Sequence, residues 1–203
     1  MFRREDEDMS TKDDNKAGLV PSQSCALSRS GATSLIRRGR QDLIAKAEAD
    51  QWLKKGQDFA AQQRHEEAFA SFERGIELNP THPELLCSLA DAYHMGYGVQ
   101  ENDVQAMALY RQAAEQGDVE GQVSLGWIAA TGAGVPVDNV EAIKWWRLAA
   151  EQGNEEAQFL LAFSYEEGLG VPKDRQQAVH WYRKAADQGE ESSREALDRI
   201  LNK

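Results

Sequence analysis

Few residue patterns in this chain are suited to covalent chemistry. The four histidines, His65, His82, His94 and His180, are scattered along it. Cys87 and His94 lie two helical turns apart and can share a helix face, but a zinc site needs more ligands than this pair supplies. Cys25 and Cys87 are the only cysteines, so neither a disulfide framework nor a multi-cysteine metal site can be built. The segments GYGVQE, GAGVPV and GLGVPK lack the third glycine of a dinucleotide-binding loop, and they close a helix instead of following a strand. No Gly-x-Ser-x-Gly, His-Glu-x-x-His or phosphate-loop sequence occurs. The expectation is a non-enzymatic chain with no catalytic, cofactor-binding or metal residue. What remains is noncovalent chemistry: Trp127, Phe159 and Phe163 beside Glu120, Glu156 and Glu166, with Asp91 and His94 nearby in the pattern. Aromatic faces attract cations and dominate binding hot spots. Carboxylates around them would steer a basic segment carrying apolar anchors.

The elements that must position these side chains are written as one pattern repeated three times at a spacing of 36 residues. Leu89, Leu125 and Leu161 are in register. So are the pairs Gly96/Gly98, Gly132/Gly134 and Gly168/Gly170, the aromatics Tyr110, Trp146 and Tyr182, and the closing Gly117, Gly153 and Gly189. A fixed period in this range marks stacked repeats. Within each copy, a first helix (helix A) ends at the first glycine, since Leu125, Ile128 and Ala129 recur at helical spacing. The glycine pair supplies positive φ without a Cβ penalty, and Pro136 and Pro172 prevent continuation. A second helix (helix B) then starts at Asn102, Asp138 and Asp174, each followed three residues on by Gln105, Glu141 or Gln177. That is the spacing of a capping box. Thr81 and Glu84 repeat it before the next helix A. Trp145, Trp146 and Trp181 fall at core positions of helix B. Leu197, Ile200 and Leu201 mark one face of a closing helix.

The line L-x6-G-x-G-V followed by A-x3-Y/W-R-x-A-A-E/D-Q-G resembles the Sel-one-like repeat, and GLGVPKDRQQAVHWYRKAADQG at 168–189 is close to that family's consensus. Trp52, Gly56, Phe59, Ala68, Phe72 and Pro80 resemble the related tetratricopeptide signature, departing from it at Lys55 and Gly75. The resemblance implies an all-α fold, an α/α right-handed superhelical solenoid of helical hairpins. The expected organisation is a disordered tail over 1–33 and a solenoid over 34–203. The solenoid comprises a capping-helix region at 34–51, a tetratricopeptide-like unit at 52–83, repeats at 84–119, 120–155 and 156–191, and the rest of a C-terminal capping helix at 192–203. By analogy with that superfamily, helix A lines the concave side. This places Glu84, Cys87, Asp91, His94, Glu120, Val123, Trp127, Ala130, Glu156, Phe159, Phe163, Glu166 and Glu167 along a groove, with Asp50, Leu53 and Gln57 before them. The implied role is a protein-interaction or adaptor module binding a peptide or protein. The alternatives are a self-associating scaffold or a hydrolase of the β-lactamase-like kind assigned to cysteine-rich secreted members. This chain lacks the cysteine pairs of those members.

Charge sharpens the expected partner. Residues 1–40 carry a net +2 and residues 41–203 a net −13. A body this acidic repels phosphate backbones, which argues against nucleic acid. It attracts cationic segments, including the chain's own Arg37, Arg38 and Arg40. The basic stretch LIRRGRQDLIAKAE is read as part of the capping helix, with a membrane-surface role as the alternative. No run reaches the length of a membrane span, and the charged first residues lack the apolar core of a signal peptide. The expected compartment is the cytoplasm.

Overall fold

A computed structural model describes residues 29–202, with side chains described from residue 37. Among the described residues there are nine helices and no strand. They are α1 (Arg29–Ala61), α2 (His65–Leu78), α3 (Pro83–Met95), α4 (Asp103–Glu115), α5 (Val119–Thr131), α6 (Asn139–Glu151), α7 (Glu155–Glu167), α8 (Arg175–Gln188) and α9 (Glu191–Leu201). The chain divides into Met1–Gly39 and Arg40–Lys203, and the packing described below belongs to the second unit. The expectation of a disordered tail falls mostly on residues 1–28, outside the described residues. Helix begins at Arg29, ahead of the capping-helix region expected from residue 34. Residues 29–33 lack apolar periodicity, but extending an existing helix avoids the cost of nucleating one.

Burial in α1 starts only at Ala49, followed by Leu53 and Gly56 at helical spacing. Leu43 and Ile44 stay 71% and 51% exposed. Gly56 and Gly75 explain how the first hairpin packs. A Cβ on Gly56 would lie 2.3 Å from the Phe72 ring, and one on Gly75 would lie 2.7 Å from Leu85 Cδ1. Glycine at 75, the departure from the tetratricopeptide pattern, is the space Leu85 occupies.

The three hairpins that follow are α3–α4, α5–α6 and α7–α8, with α9 packed on α8. Each helix A ends on a left-handed glycine, Gly96, Gly132 or Gly168, with φ of 68°, 74° and 75°. The second glycine of each pair has a further reason to be glycine. A Cβ on Gly98 or Gly170 would lie 2.3 Å from the backbone oxygen of His65 or Asn139, at the start of the preceding helix B. The turn of one repeat is thus pressed against the helix start of the one before. Helix B is capped as expected: Asn102, Asp138 and Asp174 accept the amides of Gln105, Glu141 and Gln177. The return half of the expected box is replaced at Glu141, whose carboxylate pairs with Arg111 at 3.0 Å and accepts from Trp145 Nε1.

Thr81 does not cap α3. His82 does, its Nδ1 accepting from the Leu85 amide while Nε2 meets Asp50 Oδ1 at 2.9 Å. Pro83 occupies the first helical turn, where its missing N–H costs nothing. Position 82 begins a second capping series at the repeat spacing. Asp118, Asn154 and Glu190 cap α5, α7 and α9.

Two hydrophobic clusters fill the stack. One runs from Ala49 to Ile128 and the other from Val123 to Ile200. They meet at α5, which gives Leu125 and Ile128 to the first and Val123 and Ala129 to the second. A helix apolar on both sides belongs in the interior of a stack. The polar ends of helix B are satisfied by buried glutamines. Gln122 and Gln158 donate to the carbonyls of Ala114 and Ala150. Their own oxygens accept from Gln152 and Gln188, which also reach the carbonyls of Gly117 and Gly153. The glutamine of the closing E/D-Q-G is therefore a cross-repeat tie in the second and third copies, whereas Gln116 of the first bonds the Gln112 carbonyl of its own helix. In α9, Ile200 is buried, Leu197 is half-buried and Leu201 is exposed. The buried face is completed by Ser193 and Ala196.

Candidate interaction site

The site begins with a partly exposed stripe of helix A whose inner edge touches helix B. Position 127 of α5 aligns with Asp91 of α3 and Phe163 of α7. Trp127 is 41% exposed and Phe163 is 39% exposed, a large apolar surface for residues whose neighbours on the same helices are buried. Trp127 is not loose. Its Nε1–H donates to Glu156 Oε1 at 2.9 Å, and its ring meets Trp146 edge-on at 5.7 Å. One bond therefore joins an aromatic of α5 to a carboxylate of α7 and fixes the orientation of the exposed indole. Phe163 stacks on Phe159 at 6.5 Å, and Phe159, half-buried, leans on Tyr182 at 5.8 Å.

The acidic residues expected here fall into two groups. Glu166 is engaged: Tyr182 donates to it at 2.9 Å, and Arg199 reaches both its oxygens at 2.8 Å from α9. Asp91, Glu120 and Glu156 pair with no lysine or arginine among the described residues. Glu120 lies at the surface, yet partial burial, reinforced by the charges of Asp118, Glu156 and Asp91, lifts its pKa above the ordinary carboxylate range. Asp91 accepts from the Tyr110 hydroxyl. Its outer edge meets solvent, but the low-dielectric surroundings still raise its pKa. The result is a patch of mutually repelling carboxylates running from α3 to α7 beside exposed aromatic rings. His94 stands at one end, with Nδ1 2.7 Å from Asp103 Oδ1.

Between α3 and α5 this face deepens into a cavity of about 360 Å³ that brings Asp91, His94 and Trp127 together with Tyr110, Ser124 and Thr131. The last three were not singled out as site residues from sequence. Ser124 and Thr131 flank Trp127 at helical spacing, a signal that would have found them, and Tyr110 reads first as a core aromatic. Three positions expected in the groove belong to the core. Leu53, Cys87 and Val123 are buried. The Cys87 thiol donates to Asp118 at 3.2 Å, and burial followed by the nearby carboxylates pushes its pKa well up.

Stacked helical hairpins of this kind define an all-α repeat protein of the tetratricopeptide-like class. The Sel1 repeat matches residues 83–118, 119–154 and 155–190, and a TPR repeat matches residues 56–96. The chain belongs to the Sel1 repeat family. Among solved structures, it is 30% identical to a protective antigen of uropathogenic Escherichia coli displaying an SLR fold, with a TM-score of 0.70 over 75% of this chain and 33% of that one. It is 30% identical to a Sel1 repeat protein from Oxalobacter formigenes, with a TM-score of 0.69 over 74% of this chain and 62% of the other. This chain thus spans a third of the first relative and less than two thirds of the second. Cysteine rich protein B of Helicobacter pylori shares the fold at 22% identity, with a TM-score of 0.52 over 66% of this chain and 95% of that one. No curated protein matches the chain in sequence. Among the described residues no helix is long and apolar enough to cross a membrane.

Proposed function

We propose that this protein is a non-enzymatic interaction module that binds a peptide or protein segment along the concave helix-A face, centred on Trp127, Phe159 and Phe163. Repeats of the Sel1 and TPR kind generally serve as protein-interaction scaffolds, which supports the class of function. One observation supports the place. Trp127 and Phe163 occupy the same repeat position, stay exposed, and lie beside Glu120 and Glu156, which have no cationic partner among the described residues. Exposed aromatics on a rigid element are common binding anchors, and unneutralised carboxylates favour a basic partner. Glu166 contributes less to that field than Glu120 or Glu156 because Arg199 neutralises it.

The test is affinity capture from a native lysate with the full chain and with a Trp127→Ser/Phe163→Ser variant. The double variant should lose its specific partner while keeping its helical circular dichroism. Capture of the same partner by a folded double variant would rule the groove out. A second reading is favoured by one feature only. Leu43 and Ile44 are exposed on α1, which suits self-association. Light scattering over a range of concentrations separates a scaffold that assembles with itself from a monomer that binds peptides.

A further inference from the structure

We propose that the cavity between α3 and α5 is the anchoring pocket for one arginine side chain of the bound partner. The proposal rests on the groove reading and names the chemistry at one point along it. The cavity is about 360 Å³ and opens on the helix-A face. Trp127 forms part of its wall, and its indole is oriented by a bond to Glu156 and an edge contact with Trp146. The polar wall is Asp91. Its Oδ1 accepts from Tyr110, while Oδ2 has no hydrogen-bond donor among the described residues. Ser124 adds a hydroxyl and Ile128 adds apolar surface. No lysine or arginine lines the cavity; His94 also lines it and acts on Asp91 through its charge, but its Nδ1 is taken by Asp103.

A guanidinium fits this combination better than other polar groups. It is planar and weakly hydrated, so it stacks on a fixed aromatic face. It also donates in plane to a carboxylate. A neutral amide would gain nothing from the carboxylates, and an acidic side chain would be repelled by Asp91, Glu120 and Glu156. The phenol beneath Asp91 keeps the carboxylate aimed, as a positioning residue. Trp127 is therefore both part of the exposed surface and the wall of a specific pocket.

The experiment uses the full chain, ¹⁵N-labelled, and follows the indole N–H resonances of its five tryptophans. The probes are the capped tripeptide Gly-Arg-Gly and its citrulline counterpart, which has the same shape without charge. The arginine peptide should shift the Trp127 resonance saturably, identified by its loss in Trp127→Phe, and the citrulline peptide should not. Asp91→Asn should weaken the arginine peptide by at least about tenfold. Thr131→Arg places a cation at the rim of the cavity from an exposed helix position and should abolish the shift. Equal shifts from both peptides, or undiminished binding in a folded Asp91→Asn or Thr131→Arg variant, would overturn the pocket. Its failure is separable from failure of the groove. If Thr131→Arg still captures the partner but Trp127→Ser/Phe163→Ser does not, the groove stands and the pocket falls. If the double variant captures it too, the groove itself falls.

Discussion

The second and third Sel1 repeats have the same backbone plan but solve one packing problem in opposite ways. In the third, helix B carries Tyr182, and helix A offers Ala162 and an acceptor, Glu166. In the second, helix B carries the larger Trp146, and helix A has given up its Cβ: an alanine at Gly126 would put that carbon 2.4 Å from Trp146 Nε1. The second repeat has Ala130 where the third has Glu166, so the indole N–H turns to the carbonyl of Val123 at 3.3 Å. The period therefore conserves the summed size of a facing pair, not the residue at either place. Polar partners follow the aromatic that needs them. Glu166 is tied to its tyrosine and to Arg199, whereas Asp91, Glu120 and Glu156, one from each repeat, pair with no lysine or arginine among the described residues.

The sharpest way to break this comparison is to truncate the neighbouring aromatic in each repeat. Trp181 is only 8% exposed, whereas its counterpart Trp145 is half-buried and hydrogen-bonded at the surface to Glu141. Trp181→Ala should cost about 3–5 kcal/mol and Trp145→Ala distinctly less, read by chemical denaturation. Equal losses would mean the two repeats are packed alike. Next in size is Gly126→Ala. Overpacking against Trp146 should cost about 1–3 kcal/mol, and adding Trp146→Tyr, which restores the pairing of the third repeat, should recover much of it. A double-mutant cycle with no coupling would show that the glycine and the indole are not a matched pair.

Helix caps offer a finer contrast. Asp174 accepts two amides, those of Gln176 and Gln177, whereas Asp138 accepts one. Asp174→Ala should cost about 1 kcal/mol and Asp138→Ala somewhat less, visible as a smaller drop in melting temperature. These helix-B caps were legible in the sequence because asparagine or aspartate stood three residues before a glutamine or glutamate in every copy. The hairpin boundaries were legible for the same reason, marked by glycine pairs that only positive φ explains. The caps of helix A were hidden. Positions 82, 118, 154 and 190 hold His, Asp, Asn and Glu, and the first and last are uncommon cap types, so the series did not stand out. At the site, the exposed aromatics could be located by alignment, but which carboxylates stay unpaired could not. Arg199 reaches Glu166 from 33 residues away, and that contact exists only once α9 has packed. The cavity beside Asp91 was equally invisible, since it depends on how far apart α3 and α5 sit.

The smallest expected effect compares two glutamates near the starts of helices in equivalent stacking positions. Glu120, in the first turn of α5, has its pKa raised, by partial burial first and then by Asp118, Glu156 and Asp91. At Glu190, the cap of α9, burial also disfavours the charge, but hydrogen bonds from Ser193 and Ser192 outweigh it and hold the pKa down. The two therefore pull stability in opposite directions. The folded chain holds a proton on Glu120 more tightly than the unfolded chain does, so the stability it contributes is complete below the unfolded pKa and is lost as pH rises through the folded one. Glu190 contributes stability above its unfolded pKa and loses it as pH falls through the folded one. Melting temperature measured from about pH 3 to pH 7, a range spanning ordinary carboxylate titration, should show Glu120→Gln gaining on the parent chain as pH rises and Glu190→Gln falling behind it. Parallel curves for the two variants would mean that neither burial nor the surrounding carboxylates disfavour the charge on Glu120. The unneutralised field on the helix-A face, on which a cationic partner depends, would then be absent.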